Sequence, residues 1–383
     1  AFRNTDGSHF PCWRQTSLGC IIEPYSEKVY GEHDYEVLTS SREGLQRQED
    51  HFGSKQRHDT DGYNIIPFGY CTYRNRSDDG KFAFNINTIS EKAIVSKFYP
   101  VFRFTNANST FMAEFLNSSP RVKKKLSVLA VGTSQVVLSF EALKAAKFDL
   151  PCKDEQDKIA AFLECLNTRI ENQRTLVVAL KKYKRGVVDG IFSRKLNFSY
   201  PQTWAELEIS ELFMPISDKG YSDKIVLTIV QGEGTMPRDS VDRRIAYDKS
   251  TISSYKRVLP NDFILHLRSF EGGLEIVNEE GVVSPAYTIL RARNEIIPLF
   301  FYTFFRSYWF INSKLRISVE GIRDGKSINM NTFWHIKVPV PSIEEQRHIS
   351  ALISSIDNRI KSAEFEYKRL LQIRVGLMQQ LFI

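Results

Sequence analysis

The sequence contains few cysteines, and none of them is spaced to form a metal site. Its 383 residues include five cysteines, at positions 12, 20, 71, 152 and 165, and no CxxC pair. An odd number of cysteines without that spacing predicts neither a zinc site nor a disulfide framework. This usage fits a reducing cytoplasm, which is the expected location.

Long apolar runs without charge are also missing. The most apolar run, IIPLFFYTFFRSYWFI from Ile296, is broken by Pro298 and Arg306. A membrane-spanning helix needs about 20 predominantly apolar residues. The run therefore predicts a buried aromatic helix, and no membrane partner is expected. The first residues do not resemble a signal peptide, so none is expected.

Catalytic motifs are missing as well. A methyltransferase would need a glycine-rich cofactor loop and an Asn/Asp-Pro-Pro-aromatic motif, and an ATP-driven motor would need a Walker A sequence; the sequence has none of these. The lone GxG at Gln231-Gly232-Glu233-Gly234 predicts a loop rather than a cofactor site. The sequence therefore gives no support to either enzyme class.

A metal-dependent nuclease is the remaining catalytic alternative. It rests on Asp79-Gly80-Lys81 and Asp324-Gly325-Lys326. Such a nuclease needs a further carboxylate nearby to hold the cation. Each of these tripeptides is therefore interpreted as a turn.

The charge balance is mildly basic. Lys and Arg number 52 against 45 Asp and Glu, which leaves a net charge of +7 and a pI of about 9.0. This balance permits a polyanionic partner such as nucleic acid but does not by itself identify one.

One stretch of the chain occurs twice. The segment from Pro151 to Phe192 returns from Pro341 to Phe382, with matched residues 190 positions apart and no gap. Acidic residues open the first copy and Lys and Arg close it, which is the polarity that a helix macrodipole favours. The prolines mark the start of each helix.

Apolar residues recur at alternating steps of three and four in both copies. This heptad pattern predicts a coiled-coil seam; the alternative is two unrelated amphipathic helices that lie on separate cores. Two seams of equal length most simply pack on each other. The predicted seam residues are Leu163, Leu166, Ile170, Val177, Leu180, Val187, Ile353, Ile356, Ile360, Tyr367, Leu370 and Leu377.

The intervals between the helices also repeat. Trp204 corresponds to Trp13, and Val226-Leu227-Thr228 corresponds to Val37-Leu38-Thr39, at offsets near 190. The predicted class is α+β: two pseudo-symmetric mixed α/β domains at 1–150 and 195–340, each followed by a long helix, at 151–194 and 341–383. The two helices are expected to pair as an antiparallel coiled coil.

The repeated pattern resembles a known family. Pro, then Asp-Glu-Gln or Glu-Glu-Gln, a long heptad helix, Gly186 or Gly376 and a closing Ile-Phe or Leu-Phe are similar to the specificity subunits of type I restriction-modification systems. GVVSPAY from Gly281 adds to the likeness, whereas the first interval offers only AIVSKFY from Ala93.

The resemblance implies that each domain is a target recognition domain for one half of a bipartite DNA sequence, and that the helices set the spacer. It also implies three kinds of partner, namely double-stranded DNA, two modification subunits, and restriction subunits that act as translocase and nuclease. The chain itself is expected to be non-catalytic and to bind no cofactor, because S-adenosylmethionine, ATP and Mg²⁺ would bind to other subunits.

Base reading needs forked donors and amides on loops or strand ends, and phosphate contact needs positive charge. The Lys run at 123–125 suits phosphate contact better than base reading. As groups rather than singly, the candidates are Lys55, Gln56, Arg57, Tyr73, Arg74, Asn75, Arg76, Lys123, Lys124, Ser134, Gln135, Arg238, Arg243, Arg244, Arg268, Ser269, Arg323 and Lys326.

Other functions stay open at this point. A stand-alone bipartite DNA-binding regulator would explain the repeat, and so would the specificity chain of a related fused restriction-modification system. A scaffold without a nucleic-acid role would leave the Arg clusters idle. Salt-dependent binding of a random duplex separates the scaffold from the other readings, and co-purification with a methyltransferase separates the subunit from the regulator.

Overall fold

The structure is a computed structural model that describes residues 2–3, 6–53, 59–133, 135–196, 203–241, 249–266, 272–321 and 326–382. The chain divides into two compact units. The first unit comprises Ala1–Arg174 and Glu366–Ile383, and the second comprises Thr175–Phe365. Each unit therefore contains part of both repeated helices.

The strands and helices up to the first long helix occur in the following order: β1 (Arg14–Ser17), β2 (Ile22–Tyr25), β3 (Glu36–Ser41), β4 (Gly44–Arg47), α1 (Gln48–Phe52), β5 (Asn64–Pro67), β6 (Cys71–Tyr73), β7 (Arg76–Ser77), β8 (Phe84–Ile86), β9 (Lys92–Val95), β10 (Val101–Phe104), α2 (Ser109–Ser118), α3 (Pro120–Leu129), β11 (Val136–Val137), α4 (Phe140–Ala145), β12 (Lys147–Leu150) and α5 (Lys153–Phe192).

The elements after α5 follow in this order: β13 (Ala205–Glu208), α6 (Ile209–Leu212), β14 (Phe213–Ile216), β15 (Leu227–Val230), β16 (Gly234–Pro237), β17 (Lys256–Val258), β18 (Phe263–His266), β19 (Glu275–Ile276), β20 (Gly281–Val283), β21 (Tyr287–Ala292), α7 (Pro298–Phe305), β22 (Val319–Glu320), β23 (Ser327–Ile328), α8 (Met330–Trp334), β24 (Lys337–Val340) and α9 (Ile343–Leu381).

The two units share one sheet topology. The first has a four-stranded antiparallel sheet in the order β2-β10-β6-β8, and the second has one in the order β14-β21-β18-β19. Beside it, the β3–β4 hairpin pairs in parallel with β9, and the β15–β16 hairpin is bridged in parallel to the β20 segment through Val226 and Val282. The repeat of the intervals between the helices is therefore a repeat of fold.

The apolar run from Ile296 forms a buried helix, as expected. Phe300, Phe301, Phe304 and Phe305 of α7 are fully buried in the core of the second unit. A helix that is apolar on all sides must be enclosed by protein to be stable in water. In the described part of the chain, no helix is both long and apolar enough to span a bilayer.

In each unit, the two long helices run antiparallel. In the first, Arg374 of α9 donates to Asn167 of α5 at 2.8 Å. In the second, Lys184 of α5 forms an ion pair with Asp357 of α9 at 2.6 Å. Every predicted seam residue is buried or half-buried, and the antiparallel pairing within the α+β class is confirmed.

The structure gives the physical reason for the Pro and Gln of the repeated motif. The Gln156 amide donates to the Pro151 carbonyl at 2.9 Å, and its oxygen accepts the backbone N–H of Asn108 at 2.9 Å. Gln346 makes the same pair of bonds, to the Pro341 carbonyl and from the Ile297 N–H. The prolines lie two residues before the first helical residue rather than at it, and their carbonyls accept the hydrogen bonds of the glutamines.

The acidic residue before each glutamine lies beside a tryptophan side chain. The Trp204 indole donates to Glu345 at 2.8 Å, and in the first unit, where burial raises the pKa of Glu155, Trp13 acts to lower it. Both carboxylates are buried. The correspondence of Trp13 and Trp204 is therefore one of structural position as well as of sequence.

The phenylalanine that ends each repeated segment is a core residue. Phe192 packs edge-on against Phe300 and Phe304 in the second unit, with ring centroids 5.6 and 5.0 Å apart. Phe382 packs edge-on against Phe111 and Phe115 in the first unit, at 5.8 and 5.5 Å. Each unit is thus completed by the end of the long helix that begins in the other.

Candidate nucleic-acid interface

The first unit has a basic concavity of about 670 Å³. Arg42 of the β3–β4 hairpin and Arg74 at the end of β6 line it. Tyr99, which lies just before β10, lines it too. Arg76 and Lys81 line it as well. These side chains are separated by up to 57 positions in the sequence and are brought together by the two sheets.

Two of these cations are partly neutralised. Arg42 forms an ion pair with Asp79 at 2.7 Å, and Lys81 lies 3.6 Å from the same carboxylate. Although desolvation raises the pKa of Asp79, the hydrogen bond from Ser77, the Lys81 N–H and the Arg42 guanidinium together lower it to about 2. Arg74 forms no ion pair with any described residue and is exposed, so its guanidinium is available to a ligand.

The second unit has a concavity of about 520 Å³. The β15–β16 hairpin supplies Gln231, the end of β18 supplies His266, and Tyr287 of β21 lies across from it. Arg238, which follows β16, lines the same space, as does Glu275 of β19. The His266 and Tyr287 rings lie 5.3 Å apart.

The two concavities occupy equivalent places in the two units. In the second unit His266 pairs with Tyr287 across the β18–β21 ladder. In the first unit Thr72 pairs with Val101 across the β6–β10 ladder, and continuing this register places Arg74 opposite Tyr99. In the described part of each unit, a concavity therefore lies beside a hairpin and at one end of the central strand pair.

The hairpin of the second concavity depends on glycine. Gly234 has a φ of +84°, and a Cβ there would lie 2.6 Å from the Ile276 carbonyl oxygen. Gly232 in the same turn has a φ of +90°. These glycines belong to the lone GxG of the sequence, which forms a tight β-turn, as expected for a loop.

The structure brings only some of the predicted DNA-binding residues to these concavities. Arg74, Arg76 and Arg238 line them. Gln135 donates its amide to Asp78, a neighbour on the rim of the first concavity, at 2.8 Å. Asn75 is half-buried, and its backbone carbonyl accepts the Leu138 N–H.

The other described candidates lie elsewhere on their units. Lys123 and Lys124 are exposed on α3, and Lys326 is exposed beside β23. The remaining candidates fall outside the described residues, namely Lys55, Gln56, Arg57, Ser134, Arg243, Arg244, Arg268, Ser269 and Arg323.

Tyr73 is a core residue, and its assignment to base reading was wrong. Its side chain is fully buried, its ring packs against Phe84 at 5.0 Å, and its hydroxyl donates to the Leu138 carbonyl at 3.0 Å. A tyrosine on a central strand points alternately with its neighbours, so the residue beside an exposed arginine faces the core.

Sequence reasoning missed Arg42, Lys81, Tyr99, His266 and Tyr287. A signal was present in the two tyrosines, which lie at or just before the start of corresponding strands at an offset of 188. The repeat could therefore have identified them, although only the strand register shows that they face the concavities.

The described residues contain no cluster of three His, Cys, Asp or Glu side chains suited to a metal ion. Asp79-Gly80-Lys81 forms a turn in which Asp79 accepts the Lys81 N–H at 3.2 Å. Asp324 and Gly325 lie outside the described residues, so the second tripeptide is not placed.

Comparison with known proteins identifies relatives. Two proteins of Methanocaldococcus jannaschii named as type I restriction enzyme specificity subunits, MjaX and MjaVIII, are each 24% identical over 224 and 215 residues. The match covers 54% of this chain in both cases, and 51% and 47% of the relatives. The chain thus spans about half the length of these curated relatives.

Solved structures share the fold. The S subunit of a type I restriction-modification system from M. genitalium has a TM-score of 0.55 at 17% identity and covers 100% of this chain and 98% of its own. The HsdS subunit of Thermoanaerobacter tengcongensis has a TM-score of 0.52 at 17% identity and covers 97% and 98%. A chain from a study of complex assembly and conformational transition of the type I R-M system has a TM-score of 0.59 at 16% identity, with the same coverage of 97% and 98%.

The family model for the type I restriction modification DNA specificity domain matches twice, at residues 23–180 and 201–371. Each match contains one of the two sheet systems and one of the two concavities. The chain therefore belongs to the family of type I restriction modification DNA specificity domains.

Proposed function

We propose that this chain is the DNA specificity subunit of a type I restriction-modification complex and that each unit reads one half of a bipartite target. The observation that carries the proposal is the pair of equivalent concavities, one in each unit matched by the family model. Arginine in each supplies the forked donors and the charge that DNA contact requires.

The long helices also support the binding of partner subunits. Apolar side chains that are not part of the seam are exposed on them, such as Val178 and Tyr183 on α5 in the second unit and Ile373 and Val375 on α9 in the first. A group of exposed apolar side chains on one helix is a candidate protein-binding surface, whereas single exposed apolar residues are ordinary. We propose modification subunits as the partners, with restriction subunits joining the same complex.

The chemistry of the complex is proposed to reside on those other subunits, which would bind S-adenosylmethionine, ATP and Mg²⁺. This chain would contribute sequence recognition and neither methylate nor cleave DNA alone. Methyl transfer from S-adenosylmethionine by the purified chain would contradict this part of the proposal.

The test exchanges one reading segment. Residues 36–100, which run from the hairpin to the strand that follows Tyr99, are replaced by the matching segment of another specificity subunit, and the chain is expressed with its modification subunits. Sequencing of methylated sites should show one half of the target changed and the other half retained, because the second concavity is untouched.

The matched control exchanges residues 227–288 and should change only the other half. A change in both halves after either exchange, or methylation without any bipartite sequence, would contradict the proposal. Retained methylation is the internal check that the exchanged chain folds and assembles.

A further inference from the structure

The two concavities share one side chain at one position. Tyr99 precedes β10 in the first unit, and Tyr287 begins β21 in the second. Both are half-buried and line their concavities. The β18–β21 ladder pairs Tyr287 with His266, and continuing the register of the β6–β10 ladder places Tyr99 opposite Arg74.

Both hydroxyls are available as donors. Neither the Tyr99 nor the Tyr287 hydroxyl makes a hydrogen bond to any described residue. Burial raises the pKa of Tyr99, although Arg74 acts in the opposite direction. Burial likewise raises the pKa of Tyr287 against the effect of Arg238. Each phenol therefore stays protonated at neutral pH and can donate to an acceptor on a bound molecule.

The neighbours of the two tyrosines differ. Arg74 of the first unit corresponds to His266 of the second through the ladder register. Arg42 of the first hairpin corresponds to Gln231 of the second, at the same offset of 189 as Val37 and Val226. Arginine and glutamine present different donor patterns to base edges. The walls of the concavities thus vary while the tyrosine is kept.

We propose that Tyr99 and Tyr287 are the common DNA-backbone contacts of the two readers, each donating its hydroxyl to a phosphate oxygen, while the differing residues beside them select bases. This assignment rests on the proposed function. A side chain that is the same in two units that read different half-sites cannot distinguish those half-sites. Hydrogen bonds to phosphate fix position and carry no sequence information directly.

The test uses the complex of this chain with its modification subunits and the duplex that the wild-type complex methylates. Tyr99→Phe and Tyr287→Phe remove one oxygen each and keep the rings that line the concavities. Each variant should bind the target about tenfold more weakly, the order expected for a hydrogen bond to a charged group. Binding to duplexes with a single substitution in either half-site should weaken by the same factor, so that the ratios of affinity between duplexes stay constant.

Arg74→Ala and His266→Ala provide the contrast. Each should change the ratios between duplexes substituted in one half-site and leave the ratios for the other half-site unchanged. Tyr30→Phe is the matched control, because Tyr30 is 69% exposed and does not line the concavity. It should bind as the wild type does.

The assignment is overturned if either tyrosine variant binds every duplex as tightly as the wild type, or if it alters the ratios between duplexes. Each variant tests the proposal independently, since the two residues lie in different units. A wild-type complex that binds its target no better than a shuffled duplex would instead refute the proposed function.

Discussion

Replacing Phe382 by Ala should destabilise the first unit, although the residue lies at the far end of the sequence. Its ring is 1% exposed and packs edge-on against Phe111 and Phe115. Its backbone carbonyl accepts the Ser119 hydroxyl at 3.0 Å, at the residue that caps α3. Removing a buried phenyl ring from such a site costs about 3–5 kcal/mol.

Hydrogen exchange measures this loss unit by unit. Amides of α2 that exchange only when the first unit opens should exchange roughly 10²- to 10³-fold faster, since about 1.4 kcal/mol corresponds to a factor of ten. Amides of α7 in the second unit should keep their wild-type rates. Phe192→Ala should give the reverse pattern, because Phe192 packs against Phe300 and Phe304.

The control is Phe365→Ala, which makes the same change at a side chain of α9 that is 69% exposed. It should leave both sets of amides unchanged. Unaltered exchange in α2 after Phe382→Ala, or equal acceleration in both units, would refute the division of the core between the units.

Four further substitutions test other contacts. Arg291→Met removes the ion-pair partner that lies 2.7 Å from buried Asp262. It should lower the free energy of unfolding by about 3 kcal/mol in a denaturant titration. The control is Arg174→Met, which removes an exposed ion pair with Glu171 and should change the free energy of unfolding by less than about 0.5 kcal/mol. Gln346→Met leaves the Pro341 carbonyl and the Ile297 N–H without their hydrogen-bond partner. It should lower the free energy of unfolding by about 2–4 kcal/mol in the same titration. Burial raises the pKa of Glu155, so the folded state binds the carboxyl proton more tightly than the unfolded state does. The stability of the wild type should therefore fall as the pH rises from the ordinary pKa of a glutamate through the raised pKa of the folded state. Glu155→Gln should remove that fall and should be more stable than the wild type at neutral pH.

The gapless repeat made the long helices predictable. Forty-two residues in one register contain enough heptad positions to predict the seam, and Ile170, Ile353 and Leu370 are buried there. The apolar run around Phe300 was equally clear, because a stretch that is apolar on all sides is buried wherever it folds. These features depend on local periodicity, which a single sequence carries.

The concavities depend on pairing between distant strands, which periodicity does not show. Arg42, Arg74 and Tyr99 meet because β3 pairs in parallel with β9 while β6 pairs with β10. Tyr73 was misplaced for a related reason. A run of Tyr-Arg-Asn-Arg suggests an exposed surface, yet alternation along the strand directs its first member, Tyr73, into the core.

The core of each unit includes the end of the long helix that begins in the other unit, and this determines the order in which the two cores can be completed during synthesis. Residues 1–174 leave the ribosome first, but the core that they form includes Met378 and Phe382. The second unit, by contrast, is made of one continuous stretch, 175–365. Its core therefore requires no residue that is synthesised after position 365. Of the two units, the one whose synthesis begins first is the one whose core is completed last.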